Sequence, residues 1–273
     1  MSLTSFKDKT ILITGASAGV GAACARHFAS AGANLALVAR GEPALQAIAQ
    51  ELRGQTQVIT IVADVADMTS CDQIVTQVIK HFGSIHVLVN NAGLHHRGEF
   101  STLKPNQVAN MVDVNLRAPL YLSALVLPYL KEAGQGAIVM VGSLAGRAPL
   151  QGAASYASTK AGLRAFTYSL ADELRDSGVA VGVVSPGPIN TGFIMDSIDE
   201  VEDIVYSQPM STAEAVAENI AKIAQGDSVE IAMTKTSGML TTLAYLFPFL
   251  RRGLRKSLYA KGRKNKEKYR NKP

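Results

Sequence analysis

The 273-residue sequence is poor in cysteine and in long apolar runs. Its two cysteines, Cys24 and Cys71, show neither metal-ligand spacing nor a disulfide-rich pattern, which fits a reducing compartment. The first apolar run, Ile11 to Thr14, is too short for the core of a signal peptide. These absences predict a cytoplasmic protein without structural disulfides.

Acidic charge is scarce at the C-terminus. Residues 251–273 hold eleven Lys or Arg and one acid, whereas the rest of the chain holds sixteen basic and twenty-one acidic residues. The tail therefore carries +10 and the body −5, so arguments from net charge apply to the tail alone. Because Tyr259 and Tyr269 are the only aromatic residues of the tail and no recognised module is present, we expect no nucleic-acid partner.

Apolar strands alternate with helical stretches along most of the chain. The predicted strands cover 10–14, 34–39, 58–62, 87–89, 137–141, 179–184 and 229–233. This alternation predicts an α/β fold, a Rossmann-like doubly wound parallel sheet in a single domain, with the functional site at the carboxyl ends of the strands. We expect a dinucleotide-binding catalytic domain over residues 1–235 and an apolar, then basic, C-terminal extension over 236–273.

A glycine-rich turn joins the first strand to an alanine-rich helix. Glycines allow the backbone to approach phosphate groups closely, and the following helix N-terminus offers unpaired N–H groups. The turn therefore predicts a dinucleotide site, although glycines that only permit a turn remain the alternative. The cofactor-binding candidates here are Gly15, Ser17, Gly19, Val20 and Gly21.

Two charged residues follow the next strands and bear on the choice of cofactor. Arg40 ends the second strand, where its guanidinium can bind a ribose 2′-phosphate, so NADP is expected over NAD. The alternative is a surface charge at a helix start, with Glu42 close by. Asp64 ends the third strand and either meets the adenine edge or caps the following helix.

Polar residues also follow the later strands. Asn91 lies in Asn90-Asn-Ala-Gly93 at the end of the fourth strand, and Ser143 ends the fifth. Asn115 interrupts the apolar run 105–130 and is either functional or a satisfied core amide. His95 and His96 have no third ligand nearby, so we interpret them as solvated or pocket-lining and predict no metal site.

Tyr156 and Lys160 are four residues apart in Ser155-Tyr-Ala-Ser-Thr-Lys160. On a helix this spacing places a phenol and an ammonium on one face. A neighbouring cation favours the phenolate and lowers the pKa of a tyrosine, which would make Tyr156 a proton donor and acceptor nearer neutrality. Chance occurrence on a solvated helix face is the alternative for the pair taken alone.

These motifs, in this order, resemble the short-chain dehydrogenase/reductase family over roughly residues 7–230. The matching motifs are Thr14-Gly-x-x-x-Gly-x-Gly21, Asn90-Asn-Ala-Gly93, Asn115, Ser143, Tyr156-x-x-x-Lys160 and Pro186-Gly187. The resemblance implies that Ser143 binds the substrate oxygen, Tyr156 transfers the proton, and Lys160 holds the nicotinamide ribose while lowering the Tyr156 pKa.

The resemblance implies further roles for residues around this centre. Asn115 would position a water that relays protons towards Lys160, and Thr191 would meet the nicotinamide carboxamide. Asp64 would meet the adenine and Asn91 the ribose side, while Pro186 and Gly187 belong to the cofactor-binding turn. Tyr156 and Lys160 are expected to contact the cofactor as well as to act in catalysis. Family members are usually dimers or tetramers packed through helices near 105–130 and 153–177, so a homo-oligomer is expected.

The chain departs from the family pattern after residue 233. Apolar residues recur at helical spacing from Met239 to Leu258 beside Arg251, Arg252, Arg255 and Lys256. This pattern predicts either an interfacial helix on an anionic membrane, within 239–273, or a flap over the cleft or a partner subunit with only 261–273 solvated. Either arrangement favours a lipophilic carbonyl or alcohol as the small-molecule substrate.

Two functions are therefore weighed from the sequence. The first is an NADP-dependent carbonyl reductase or alcohol dehydrogenase. The second is a catalytically silent NADP-binding sensor or scaffold associated with membranes through its tail, which the joint presence of the four catalytic candidates disfavours. The substrate loop, roughly 192–210, mixes apolar and acidic residues and does not identify the substrate.

Overall fold

The computed structural model describes residues 3–270, which contain one seven-stranded parallel sheet of order β3-β2-β1-β4-β5-β6-β7. Every predicted strand is present, and each boundary lies within one residue of its expected position. The strands are β1 (Thr10–Thr14), β2 (Asn34–Ala39), β3 (Val58–Val62), β4 (Val87–Asn90), β5 (Gly136–Val141), β6 (Val179–Ser185) and β7 (Glu230–Ala232). The doubly wound parallel sheet is thus confirmed.

Helices cover both faces of this sheet. One face packs against α1 (Gly19–Ser30), α2 (Glu42–Leu52) and α8 (Ala213–Ala224). The other packs against α3 (Met68–Phe82), α5 (Ala118–Glu132) and α6 (Ala154–Glu173). Shorter helices are α4 (Pro105–Val112) and α7 (Gly192–Met195), and two further helices, α9 (Lys235–Leu246) and α10 (Pro248–Arg270), form the C-terminus of the described region.

The strands are apolar throughout because both faces of the sheet are covered. In β1, Ile11 and Ile13 pack into the core on the side of α1 and α8, and Leu12 packs into the core on the opposite side of the sheet. All three are fully buried. Both cysteines are free and buried. The chain runs outward from β1 to β3 and resumes at β4 on the other side of β1, which opens a crevice at their carboxyl ends.

A π-helical segment, Asp113–Arg117, interrupts the run that the sequence predicts as one long helix. Asn115 lies within it and is fully buried. Its side chain accepts a hydrogen bond from the Leu94 N–H at 2.8 Å and donates to the Leu94 carbonyl at 2.8 Å. The widened turn therefore presents an amide that fixes the loop after β4, a common use of π-helical turns at functional sites.

The C-terminal helices reverse one expectation from the sequence. The alternative in which residues 261–273 are solvated is wrong for one face of 261–270, because Gly262 and Lys266 of α10 are buried against the 3-10 helix Asp203–Ser207. The other face of this segment is exposed. Positions 271–273 lie outside the described residues. Exposed apolar side chains instead cluster between residues 239 and 254. Across residues 3–270, no helix combines the length and apolarity needed to cross a bilayer.

Candidate active site

The glycine turn after β1 is shaped so that only glycine fits. Gly15 and Gly19 have φ of 66° and 52°, a region that favours glycine. A Cβ on Gly21 would lie 2.7 Å from the Asn91 amide nitrogen, and would also collide with the Gly15 carbonyl. The turn therefore brings the N-terminus of α1 directly against β1. No side chain caps this helix end, and its first turn carries no acid, so its N–H groups can receive a phosphate.

Asn91 and Thr14 hold this turn in place. The Asn91 amide nitrogen donates to the carbonyls of Thr14 and Gly15 at 2.9 and 3.0 Å. The Thr14 hydroxyl accepts hydrogen bonds from the N–H groups of Asn91 and Ala92 at 3.1 and 3.0 Å. Both amide hydrogens of Asn91 are thus directed to the protein, which leaves only its carbonyl oxygen for a cofactor ribose.

A cavity of about 310 Å³ lies beside the turn and contains several of the predicted cofactor residues. Arg40 and Asp64 both line it and form an ion pair, with 3.7 Å between guanidinium nitrogen and carboxylate oxygen. Asp64 does not cap α3, because Asp67 does so, accepting from Thr69 and Ser70 N–H groups. The cavity lining also includes Gly15, Ser17, Gly41, Ala63, Val65 and Gly93. Val20, by contrast, packs into the core and can offer only its backbone.

The turn after β6 closes the cofactor crevice from the other side. The carbonyl of Pro186 accepts from the Leu144 N–H at 2.8 Å, which ties this turn to the residue after Ser143. A Cβ on Gly187 would contact Leu144 at 3.4 Å. Thr191 lies next to the glycine turn, since a Cβ on Gly19 would meet its methyl carbon at 3.3 Å. The predicted cofactor residues from five strand ends, those of β1, β2, β3, β4 and β6, therefore converge on one crevice.

Ser143, Tyr156 and Lys160 lie together next to this crevice. Ser143 follows β5, and its side chain lies close enough to that of Tyr156 on α6 to lower the Tyr156 pKa. The Ser143 hydroxyl also accepts a hydrogen bond from the Ala145 N–H at 3.1 Å. One turn further along α6, Lys160 is buried and donates from Nζ to the Val141 carbonyl at 2.8 Å. Its Nζ lies 5.8 Å from the centre of the Tyr156 ring. The helix predicted from the Tyr-x-x-x-Lys spacing is therefore present, with both side chains on the site.

Burial shifts the pKa of both groups. It lowers the pKa of Lys160 to about 8, because the charged form is desolvated. It raises the pKa of Tyr156, and the opposing effects come from the Ser143 side chain and the charge of Arg97. In the protein alone the expected lowering of the Tyr156 pKa by Lys160 is not observed, because burial outweighs the lowering effects, which come from Ser143 and Arg97.

Asn115 lies next to Lys160. A Cβ on Gly93 would lie 3.4 Å from the Asn115 carbonyl oxygen and 3.7 Å from Lys160 Nζ. Asn115 also donates to the Thr159 hydroxyl at 3.3 Å. It is both a satisfied core amide and a neighbour of Lys160, so the two alternatives drawn from the sequence do not exclude each other. The water-relay role stays a prediction.

Two residues at the site are not predicted by any motif. His95, in the loop after β4, stacks on Tyr156 with 4.3 Å between ring centres and 16° between planes. Arg97 reaches across the cleft and donates to the Phe193 carbonyl at 2.6 Å, which ties this loop to α7. His95 is thus pocket-lining, one of the two interpretations drawn from sequence. In the sequence, the run His95-His96-Arg97 could have drawn attention to this loop. The positions of these side chains relative to Tyr156 and Phe193, however, are set by the fold.

A buried ion cluster beneath the site is likewise unpredicted. Glu230 on β7 pairs with Arg147 and Arg164 and accepts from the hydroxyls of Ser185 and Tyr168 at 2.8 and 2.9 Å. Burial alone would raise the pKa of Glu230, but these hydrogen bonds lower it to about 2. Within residues 3–270, no group of three or more His, Cys, Asp or Glu residues could hold a metal ion.

The fold and this site define an α/β nucleotide-binding oxidoreductase. Residues 9–202 match the family model for short chain dehydrogenases. An uncharacterized oxidoreductase of Staphylococcus epidermidis is 37% identical over 185 residues, 68% of this chain and 80% of the relative. Sulfoacetaldehyde reductase 2 of Chromohalobacter salexigens is 38% identical over 194 residues, 68% of this chain and 74% of the relative.

Solved structures agree with this assignment. The crystal structure of 3-ketoacyl-(acyl-carrier-protein) reductase from Brucella melitensis complexed with NADH aligns with a TM-score of 0.76 at 26% identity, covering 85% of this chain and 100% of that one. The chain belongs to the short-chain dehydrogenase/reductase family. It is an oxidoreductase of that family with an NAD(P)-binding fold.

Proposed function

We propose that this protein is an NADP-dependent reductase of carbonyl compounds, or the corresponding alcohol dehydrogenase, acting on a lipophilic substrate. The observation that carries this proposal is the position of Ser143 beside Tyr156, whose ring centre lies 5.8 Å from the Nζ atom of the buried Lys160. A hydroxyl pair of this kind can hold a carbonyl oxygen and deliver a proton to it. The bound nicotinamide would supply the hydride.

The roles of the protein groups follow from where they lie. Ser143 orients and polarises the substrate oxygen, and Tyr156 donates the proton during reduction. Lys160, with a pKa of about 8, supplies a positive charge to the site near neutral pH and holds the cofactor ribose. Asn115 fixes the loop after β4 against Lys160 and positions the water of the proton relay. Thr191 contacts the nicotinamide carboxamide from the turn after β6.

Arg40 supports the preference for NADP. Its guanidinium is 67% exposed at the rim of the cavity, where a 2′-phosphate would lie. Asp64, 3.7 Å away, would release Arg40 to the phosphate and face the adenine.

Replacing Arg40 by Ala should lower kcat/KM with NADPH at least tenfold and change the NADH value little. Arg53→Ala, on an exposed arginine just after α2, is the matched control. If Arg40→Ala changed kcat/KM equally for NADPH and NADH, the proposed NADP preference would be contradicted.

The lipophilic substrate is supported by the exposed apolar surface of α9 and α10. Eight large apolar side chains there are at least 40% exposed: Met239, Leu240, Tyr245, Leu246, Phe247, Phe249, Leu250 and Leu254. Arg252, Arg255 and Lys256 are exposed beside them. We propose that this surface lies on an anionic membrane, from which a lipid-like substrate enters. Family membership also supports a dimer or tetramer, formed through α4–α5 and α6.

Two measurements test these proposals. NADPH and NADH oxidation by the full chain, screened over carbonyls graded by chain length and ring number, should show activity that rises with apolar size. Flotation with phosphatidylserine-containing liposomes should recover the full chain and lose a chain lacking residues 238–273. Turnover of no carbonyl with either cofactor contradicts the enzymatic proposal. Flotation that is absent, or unchanged by the deletion, contradicts only the membrane proposal.

A further inference from the structure

The His95 ring is held in one tautomer against Tyr156. Arg97 Nη1 lies 3.1 Å from His95 Nδ1. Because a guanidinium can only donate, His95 Nδ1 is the acceptor, and the proton of the neutral ring is therefore on Nε2. Burial, followed by the charges of Arg97 and His96, lowers the pKa of His95 to about 3. The ring is accordingly neutral at physiological pH and presents an Nε2–H donor.

This donor lacks an acceptor. His95 Nε2 is buried and has no hydrogen-bond partner within residues 3–270. A buried N–H group without an acceptor is destabilising, so a ligand that supplies an acceptor oxygen gains binding free energy there. Since the His95 ring stacks on that of Tyr156 with 4.3 Å between ring centres, such an oxygen would lie alongside the Tyr156 side chain.

Arg97 adds positive charge to the same place. Its guanidinium donates to three neutral acceptors: His95 Nδ1, the Ser197 hydroxyl at 2.8 Å and the Phe193 carbonyl at 2.6 Å. Within the described part of the chain, it forms no ion pair with a carboxylate. Three of its five N–H groups are used in these contacts, which leaves two for a ligand. Glu200 acts on the charge of Arg97 without forming an ion pair with it, so this half-buried guanidinium can still bind an anion.

We propose that His95 and Arg97 form an oxyanion subsite beside the reacting carbonyl, and that the preferred substrate is an amphiphilic oxo acid. Its carbonyl lies at Ser143 and Tyr156, its carboxylate or similar oxyanion accepts from His95 Nε2–H near Arg97, and its apolar remainder leaves the cleft. This rests on the proposed function, which it narrows from lipophilic carbonyls in general to those with a neighbouring oxyanion.

The test compares keto acids with their own methyl esters. NADPH oxidation by the full chain is measured over a series in which the carboxylate lies progressively further from the ketone. At the optimal spacing, we expect kcat/KM for the acid to exceed that for its ester about tenfold or more, mainly through KM. His95→Phe, which keeps the stacked ring, and Arg97→Met should each reduce this acid-to-ester ratio about tenfold. Arg97→Lys, which keeps the charge, should retain part of it.

Matched controls replace the same residue types elsewhere. His81→Phe changes an exposed histidine on α3, and Arg175→Met changes an exposed arginine after α6, so both should keep the wild-type ratio. An acid-to-ester ratio near one at every spacing, or a ratio unaffected by both His95→Phe and Arg97→Met, overturns the subsite. If one variant does not fold, the other decides. Ester turnover without acid preference leaves the reductase intact, whereas no turnover of acids or esters contradicts the proposed function itself.

Discussion

The helices α1 and α10 are held to the same molecule in opposite ways. Eight of the twelve residues of α1 are buried, and all of them are apolar or glycine. Only Gly262 and Lys266 are buried in the described length of α10, which has 23 residues. Burial spread over a whole face tolerates single changes, whereas a helix attached through a few polar contacts depends on each one. The glycine turn that precedes α1 is therefore preorganised by the core.

Within residues 3–270, the side-chain hydrogen bonds from α10 to other elements all reach the substrate loop. Lys266 Nζ donates to the Val201 carbonyl at 2.8 Å and pairs with Asp203 at 3.2 Å. Asn265 donates to the Tyr206 carbonyl at 2.9 Å. The start of the same loop is tied to the active site by the Arg97–Ser197 hydrogen bond. The comparison teaches that the cofactor half of the site is built by the sheet, while the substrate half depends on the C-terminal extension.

The largest effect on activity is expected from Tyr156→Phe, which should impair proton transfer without disturbing either the cofactor half or the substrate half of the site. Tyr156→Phe removes the proposed proton donor but keeps the ring on which His95 stacks. We expect kcat to fall about 10²–10⁴-fold, since that is the usual contribution of a positioned general acid. NADPH affinity, measured by the fluorescence of the bound nucleotide, should stay within about twofold because the glycine turn is held by hydrogen bonds from Asn91 to the carbonyls of Thr14 and Gly15, and not by Tyr156.

Tyr168→Phe is the control for this substitution. Tyr168 also lies on α6, and its hydroxyl donates to Glu230 rather than pointing into the cleft. Its removal should leave kcat within a few-fold of wild type. Comparable turnover by Tyr156→Phe would show that another group delivers the proton. A large loss of NADPH affinity would show instead that the two halves of the site are not independent.

The strands, the glycine turn and the Tyr156–Lys160 helix face were predictable because each is encoded locally. A buried parallel strand such as β1 requires a continuous apolar run, and a close backbone approach requires Gly21. The π-helical turn at Asn115 was not predictable, since it depends on hydrogen bonds to Leu94, 21 residues away in sequence. Motif spacing fixes which side chains share a face but not what they contact.

The raised pKa of Tyr156 shows the same limit. The sequence indicates that Lys160 lies near Tyr156, and a nearby cation taken alone would lower the pKa of the tyrosine. The structure adds burial, which acts in the opposite direction and is larger. The docking of residues 261–270 was missed for a related reason. A run of basic residues is typical of a solvated tail, and the acids that receive it, such as Asp203, lie about sixty residues earlier in the chain.

The next largest effect is expected at Glu230, which links the sheet to the extension. Its partner Arg147 also donates to the Gly238 carbonyl on α9 at 3.2 Å. Lowering a carboxyl pKa from 4.5 to about 2 corresponds to roughly 3 kcal/mol of folding free energy, so Glu230→Gln should destabilise the protein by about that amount at pH 7. Urea unfolding followed by circular dichroism measures this difference.

The contribution of Glu230 to the free energy of unfolding should depend on pH. Because the folded-state pKa of Glu230 is depressed, its contribution is complete above about pH 4.5 and is lost as the pH falls towards 2. The gap between wild type and Glu230→Gln should therefore shrink below pH 4.5. Glu51→Gln, in an exposed pair with Arg26, should change stability by no more than about 1 kcal/mol. Equal effects of the two substitutions would contradict the distinction between buried and exposed pairs.

The smallest effect is expected from two glycines on α10. A Cβ on Gly262 would collide with the Asp203 carbonyl, whereas a Cβ on Gly253 would meet nothing within 4 Å. Gly262→Ala should cost about 1–3 kcal/mol by separating α10 from the substrate loop, and Gly253→Ala should stabilise the helix by about 0.5–1 kcal/mol.

Hydrogen exchange followed by mass spectrometry locates the change. Amides of residues 196–207 should exchange faster in Gly262→Ala and at the wild-type rate in Gly253→Ala, with no change in α1 or the glycine turn. The KM for substrate should rise in Gly262→Ala alone, while NADPH affinity is unchanged. If exchange also quickens around α1, the cofactor half is not independent of the extension. If neither region responds, the substrate loop keeps its structure without α10, because the sheet and Arg97 suffice to hold it.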